Sequence, residues 1–254
     1  MKGVSVSISQ HSCVPPENVS PVLALSDWLM LATLVALVPA YAYVRGRTLA
    51  KATTVKRRSL YLRSMSMLWA LALVTLFAWW HHGRPFDELG LSLTPGPVTE
   101  TSGAVCLMAL GAILVRLRTL SRWSAEKAAA IREHIGGTAP ILPRTKAELY
   151  WFFGVALTAG ICEELLYRGF FCGVTAPFIT PYGAIAASAV VFGLAHAYQG
   201  IRGIALTAAI GLFLGAFYFV SGSLVWPIVL HVLIDINGGV SGYLLFRERQ
   251  ETSR

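Results

Sequence analysis

Hydrophobic residues run along this chain in blocks of about twenty, long enough to cross the ~30 Å hydrocarbon core of a bilayer as α-helices. Such blocks lie near residues 24–44, 60–80, 103–120, 149–170, 180–199, 203–221 and 226–246, with short polar stretches between them. They predict an all-α fold, a polytopic transmembrane helical bundle of about seven spans, with six to eight as the range. Residues 1–23 read as a polar N-terminal tail, 24–148 as three spans joined by basic loops, 149–246 as a four-span core and 247–254 as a basic C-terminal tail. Between Ser124 and His134 a capping serine precedes a run of helix formers, which predicts a short helix outside the membrane that ends at Gly136 and Gly137.

Composition agrees with the pattern. Of 254 residues, 55% are hydrophobic and 13% charged, against ~25% charged in an ordinary soluble domain, and this excludes a water-soluble globule, a disordered chain and a disulfide scaffold. The net charge of +8 would suggest nucleic acid in a soluble protein. Here the cations sit in loops beside spans, where they set membrane orientation, and no nucleic-acid partner is expected. Arg45, Arg47, Lys51, Lys56, Arg57 and Arg58 form one such loop, whereas His81 to Ser102 holds Asp87, Glu88 and Glu100 against Arg84 alone. The alternation predicts an integral multi-pass protein of a prokaryotic plasma (inner) membrane, with the N-terminus outside and the C-terminus in the cytoplasm. The cluster Trp79, Trp80, His81, His82 is read as an interfacial anchor. Cys13, Cys106, Cys162 and Cys172 match no zinc or disulfide spacing and read as small hydrophobes.

From Tyr150 to Phe246 the chain carries five formal charges: Glu163, Glu164, Arg168, Arg202 and Asp235. An ionisable group within a bilayer costs ~2.5–3.5 kcal/mol on insertion scales, so such groups face the bundle interior and usually act there. Arg202 lies in a short loop. Glu164 and Arg168, four apart, share a helix face and can pair; Glu163 lies about 100° around the helix and is left without that partner, as a general base requires. His196 closes the fifth span with Phe192 one turn before it, and His231 precedes Asp235 by one turn, close enough for the carboxylate to fix the imidazole tautomer. Two chemistries fit this set. Glu163 and a histidine can deprotonate a water that attacks an amide carbonyl, or His196, His231 and Glu163 can hold zinc with a position left for water. Neither an HExxH run nor a GxSxG elbow occurs, and no base is assigned to Cys162.

Glu163-Glu164-x-x-x-Arg168, Phe192-x-x-x-His196 and His231-x-x-x-Asp235, in this order on successive late spans, resemble the three motifs of the CPBP intramembrane proteases, also called the Abi or type II CAAX protease family. LYRGF after the glutamates and GSLVWPIVLH before the last histidine add to the likeness, which covers about 149–246. The resemblance implies an intramembrane endopeptidase acting on a membrane-associated protein or peptide, of CAAX-type, bacteriocin-type or surface-maturation substrates. It implies Glu163 as the water-activating base with His196, oxyanion stabilisation by His231 and Asp235, and support from Glu164, Arg168 and Phe192. Family members often end the last motif in Asn, whereas this chain has Asp235; an ionised carboxylate cannot donate to an oxyanion, so Asp235 is expected to orient His231. The alternative from another class is a non-catalytic immunity or scaffolding protein of the same fold, in which the polar cluster serves packing. A proton-coupled transporter is disfavoured, because the chain has no repeat symmetry. With straight helices, His196 lies nearer the cytoplasmic side than Glu163 and His231. A re-entrant or surface helix over Gly169–Tyr182 would bring it level.

Overall fold

The computed structural model of the chain describes residues 22–52, 54–135 and 138–247. Apart from Val22, Leu23 and Arg247, the tails expected over 1–23 and 247–254 lie outside the described residues, as do Cys13 and the helix stop at Gly136 and Gly137. Every regular element among these residues is helical. In chain order they are α1 (Leu25–Lys51, with a π-turn at Thr33–Leu37), α2 (Arg57–His81), α3 (Pro97–Ser121), α4 (Ala125–His134), α5 (Lys146–Glu164), α6 (Cys172–Ala195), α7 (Ile201–Ser221) and α8 (Val225–Phe246). The expected short helix after Ser124 is α4, and the Ser124 hydroxyl accepts from the Lys127 N–H as its cap.

Six helical runs among the described residues are long and apolar enough to cross a membrane, and the fourth, Lys146–Ala195, runs for 50 residues. In it α5 passes into α6 through the π-helical stretch Leu165–Phe171. Drawn straight it would measure ~75 Å, over twice the bilayer core. It doubles back at Ile179 and Thr180, where the backbone leaves the helical region and Thr180 takes φ 67°, ψ 157°. Pro181 explains the break. Its ring keeps the residue before it out of the α region, and at the first position of a new helix its missing N–H costs nothing. The Thr180 hydroxyl, accepting from the Gly183 N–H at 3.3 Å, caps that new limb. The two limbs, residues 146–178 and 180–195, correspond to the fourth and fifth expected spans. The re-entrant or surface helix expected over Gly169–Tyr182 is therefore corrected: the first limb continues through it before turning.

The limbs pack face to face. Buried Ser188 donates to the Tyr167 carbonyl at 2.9 Å, and the Tyr167 and Phe192 rings meet edge to face at 5.1 Å. Small residues let the next helices approach. A Cβ on Gly211 would stand 3.0 Å from Phe192 and 3.3 Å from the Ala189 backbone, and one on Gly215 would stand 2.8 Å from Ile185, so α7 lies tight on the second limb. Gly160 does the same for α5 against α8, where an added Cβ would overlap Val232 and reach the Ile228 carbonyl at 3.3 Å. All seven residues of Leu165–Phe171 are buried, and Leu165, Leu166, Tyr167, Phe170 and Phe171 form the main core with Leu34, Trp79, Leu89, Phe192, Tyr218 and Leu224.

The connection after α2 folds inward rather than trailing into solvent. Leu89 is fully buried, the Gly90 carbonyl accepts from the Leu224 N–H at 2.8 Å, and Ser223 donates to the Ser92 carbonyl at 2.6 Å. Asp27, buried at the start of α1, takes both arms of Arg84 at 3.0 and 2.5 Å. Trp79 belongs to this plug: its indole N–H donates to the Pro85 carbonyl, and the Arg84 guanidinium lies over its ring at 4.9 Å. It is a core residue rather than an interfacial anchor; neighbouring Trp80 is exposed.

Candidate active site

The doubled helix puts the separate motifs at one level. Glu163 stands sixteen residues before Ile179 and His196 sixteen residues after Thr180, so on antiparallel limbs they end up opposite each other. α8, drawn in at Gly160, carries His231 and Asp235 to the same place. The Glu163 carboxylate oxygen Oε2 lies 4.0 Å from His196 Nε2 and 3.8 Å from His231 Nε2, and Asp235 Oδ2 lies 3.8 Å from His231 Nε2. Glu163 Oε2 is buried and has no hydrogen-bond partner among the described residues.

Each imidazole is held by its other nitrogen. His196 Nδ1 donates to the Phe192 carbonyl at 2.8 Å, and His231 Nδ1 donates to Glu164 Oε1 at 2.7 Å. Both rings therefore turn Nε2 toward Glu163. Glu164 also receives Arg168 Nη1 at 2.8 Å, and the second Arg168 arm donates to the Gly211 carbonyl at 2.9 Å, so α5, α7 and α8 are tied by one buried network. Phe192 sits at its centre, with the Arg168 guanidinium 4.6 Å over its ring and the rings of His196 and His231 at 4.8 and 5.8 Å. The expected pairing of Glu164 with Arg168 is present. The expected orienting of His231 by Asp235 is corrected, because 3.8 Å is too long for a hydrogen bond and Glu164 holds the ring instead. Asp235 is the most open of the three carboxylates, with 30% of its side chain exposed.

A cavity of about 360 Å³ reaches this cluster. Glu163, His196 and Asp235 line its inner end; Leu34, Val38, Leu60, Met67 and Leu68 of α1 and α2 form its apolar walls, and Arg45, Leu49, Thr138 and Leu142 line it toward the end that carries the basic loops. The inward-folded loop around Leu89 lies at the opposite end. The zinc set considered from sequence, Glu163, His196 and His231, has the right donor types, but no group of three or more His, Cys, Asp or Glu among the described residues is arranged to hold a metal ion. No step below passes through one. Cys162 is fully buried and is not among the residues lining the cavity.

Residues 145–237 match the family model described as type II CAAX prenyl endopeptidase, Rce1-like. This stretch is an Rce1-like CAAX protease domain. It occupies a little over a third of the chain and contains Glu163, Glu164, Arg168, Phe192, His196, His231 and Asp235. At family level the Rce1-like domain is that of a CAAX-type membrane protease, a hydrolase. No curated protein and no solved structure matches the chain. α1 and α2 lie outside the Rce1-like domain yet supply about half of the apolar cavity wall.

Sequence reasoning passed over Tyr198 and Gln199, which follow His196 in a single 3-10 turn and line the same cavity. Their only signal was position, two and three residues after a motif histidine, at the end of the expected fifth span.

Proposed function

We propose that this protein is an intramembrane endopeptidase that hydrolyses a peptide bond of a membrane-associated protein or peptide by glutamate-activated water. The observation that carries this reading is the convergence of His196 Nε2 and His231 Nε2 on the unpartnered Glu163 Oε2, each within 4.0 Å, at the inner end of a cavity. Gaps of 3.8–4.0 Å are too long for direct hydrogen bonds and suit a water bridging carboxylate and imidazole. Glu164 marks the contrast: its Oε2 is unpartnered among the described residues as well, but its Oε1 takes both Arg168 and His231 and it is not among the residues lining the cavity, whereas Glu163 lines it and faces two imidazoles.

In the proposed reaction Glu163 takes a proton from a water positioned by His196. The water oxygen bonds to the peptide carbonyl carbon, and the carbonyl π pair moves onto its oxygen. Collapse of the tetrahedral intermediate breaks the C–N bond, its electron pair passes to nitrogen, and Glu163 returns the proton to the leaving amine. His231, oriented by Glu164 and Arg168, faces the developing oxyanion, and Asp235 supports His231 electrostatically. The apolar walls from α1 and α2 suit a substrate bearing a lipid or a hydrophobic segment, in keeping with a prenylated CAAX protein.

The test compares membrane proteomes of cells making wild-type protein or Glu163→Gln at equal levels. Peptide termini in membrane-anchored proteins that appear with wild type and vanish with Glu163→Gln are expected, and they name the substrate. Indistinguishable proteomes would overturn the protease reading in favour of a scaffolding or immunity role.

A further inference from the structure

A tetrahedral oxyanion in a site shielded from water needs preorganised donors, and few groups at this cluster can donate. Glu163 and Asp235 are acceptors when ionised. His196 has spent its Nδ1–H on Phe192, which leaves a lone pair at Nε2 of the neutral ring. Arg168 commits its Nη1 and Nη2 to Glu164 and to Gly211, and although its Nε is unpartnered among the described residues, Arg168 is not among those lining the cavity. His231 supplies at most one N–H, from Nε2. Of the other tyrosines lining the cavity, Tyr61 spends its hydroxyl on the Ile141 carbonyl, and Tyr41 and Tyr167 lack, among the described residues, a side-chain donor that fixes the phenol oxygen. Tyr198 is different. Its ring lies 5.7 Å from that of His196, it lines the cavity with Glu163, His196 and Asp235, and its phenol oxygen already accepts from Gln199 Nε2 at 3.1 Å. The hydroxyl proton is thus committed to no acceptor among the described residues.

Resting on the protease reading above, we propose that the Tyr198 hydroxyl is a catalytic hydrogen-bond donor to the oxyanion, with Gln199 as the positioning residue that fixes the phenol oxygen. The donation moves no proton: the phenol stays protonated while the carbonyl oxygen gains and then loses its charge. Burial, with Glu163 and Asp235 facing it, pushes the Tyr198 phenol up, so it stays a donor throughout the neutral range. Its backbone is held from outside the Rce1-like domain. A Cβ on Gly46 of α1 would stand 2.6 Å from the Tyr198 Cα, so α1 lies directly against the turn that aims the ring.

The experiment uses the full chain in proteoliposomes with an internally quenched, prenylated peptide ending in a CAAX sequence, comparing wild type, Tyr198→Phe and Glu163→Gln. Tyr198→Phe keeps the ring and removes one donor; kcat is expected to fall by roughly 10²-fold, with KM within about twofold and the thermal midpoint unchanged. A wild-type kcat for Tyr198→Phe, beside an inactive Glu163→Gln, would overturn the assignment and leave the protease reading standing. A fall in kcat matched by a fall in thermal midpoint would also overturn it, as the mark of a structural role. Wild-type protein that cleaves no peptide would sink the protease reading and the Tyr198 role together.

Discussion

Glu163 and Glu164 are adjacent in sequence and opposite in circumstance. Glu164 is fully buried with its Oε1 held by Arg168 and His231, whereas Glu163 has neither of those hydrogen bonds and lines the cavity. Removing one partner of a buried ion pair strands the other, at about 3–5 kcal/mol. Arg168→Met is therefore expected to destabilise the folded protein by about that amount in denaturant unfolding in detergent, while Glu163→Gln shifts stability by less than ~1 kcal/mol. Equal losses would make Glu163 a structural residue too. The division of labour was legible in sequence because a four-residue spacing pairs Glu164 with Arg168 and turns Glu163 elsewhere. The partner of His231 was not. Its own helix offers Asp235, but the ring nitrogen that matters points across the bundle to Glu164, and no periodicity within α8 encodes that choice.

At the scale of elements, the site depends on how closely α5 and α8 approach. Gly160 permits that approach, since any larger residue meets Val232 and its backbone N at 3.2 Å. Overpacking of this kind costs about 1–3 kcal/mol. Gly160→Leu is expected to lower the thermal midpoint and to cut peptide cleavage by at least about tenfold by moving Glu163 away from His231. Gly111→Leu, at a position with open space around it, is the matched control and is expected to match wild type in both. A midpoint and cleavage rate unchanged by Gly160→Leu would mean that the contact does not position the site. The spans were readable from hydropathy, and the Thr-Pro pair at 180–181 marks a helix start in its own right. Where the fourth span ended was not readable: apolar character continues to Phe178, and only the packing of the returning limb shows how far the helix runs before it turns.

On the scale of the whole molecule, the cavity leads toward Arg45, Thr138 and Leu142, whereas Leu89, Leu224 and the Asp27–Arg84 pair pack at the other end of the bundle and do not line it. The basic-residue bias would hold those loops in the cytoplasm, and we propose on that basis that the site takes substrate from the cytoplasmic side. Single cysteines placed at Ala52 and Thr94, in protein carrying Cys13→Ser, are expected to label oppositely in intact cells. The residue at 94 should react with an impermeant thiol reagent and the residue at 52 only after permeabilisation; the reverse pattern would invert the orientation. By itself the sequence determined the membrane class, the number and rough limits of the apolar segments and the small set of charges able to do chemistry, because a bilayer penalises every polar group and so makes each retained one conspicuous. Tertiary structure alone decided that Glu163, His196, His231 and Asp235 share a level, that Glu164 orients His231 and that Tyr198 lines the same cavity. Those outcomes rest on contacts between helices distant in sequence, set by a proline-induced turn and a few glycines whose effect appears only when the surfaces they leave bare are packed together.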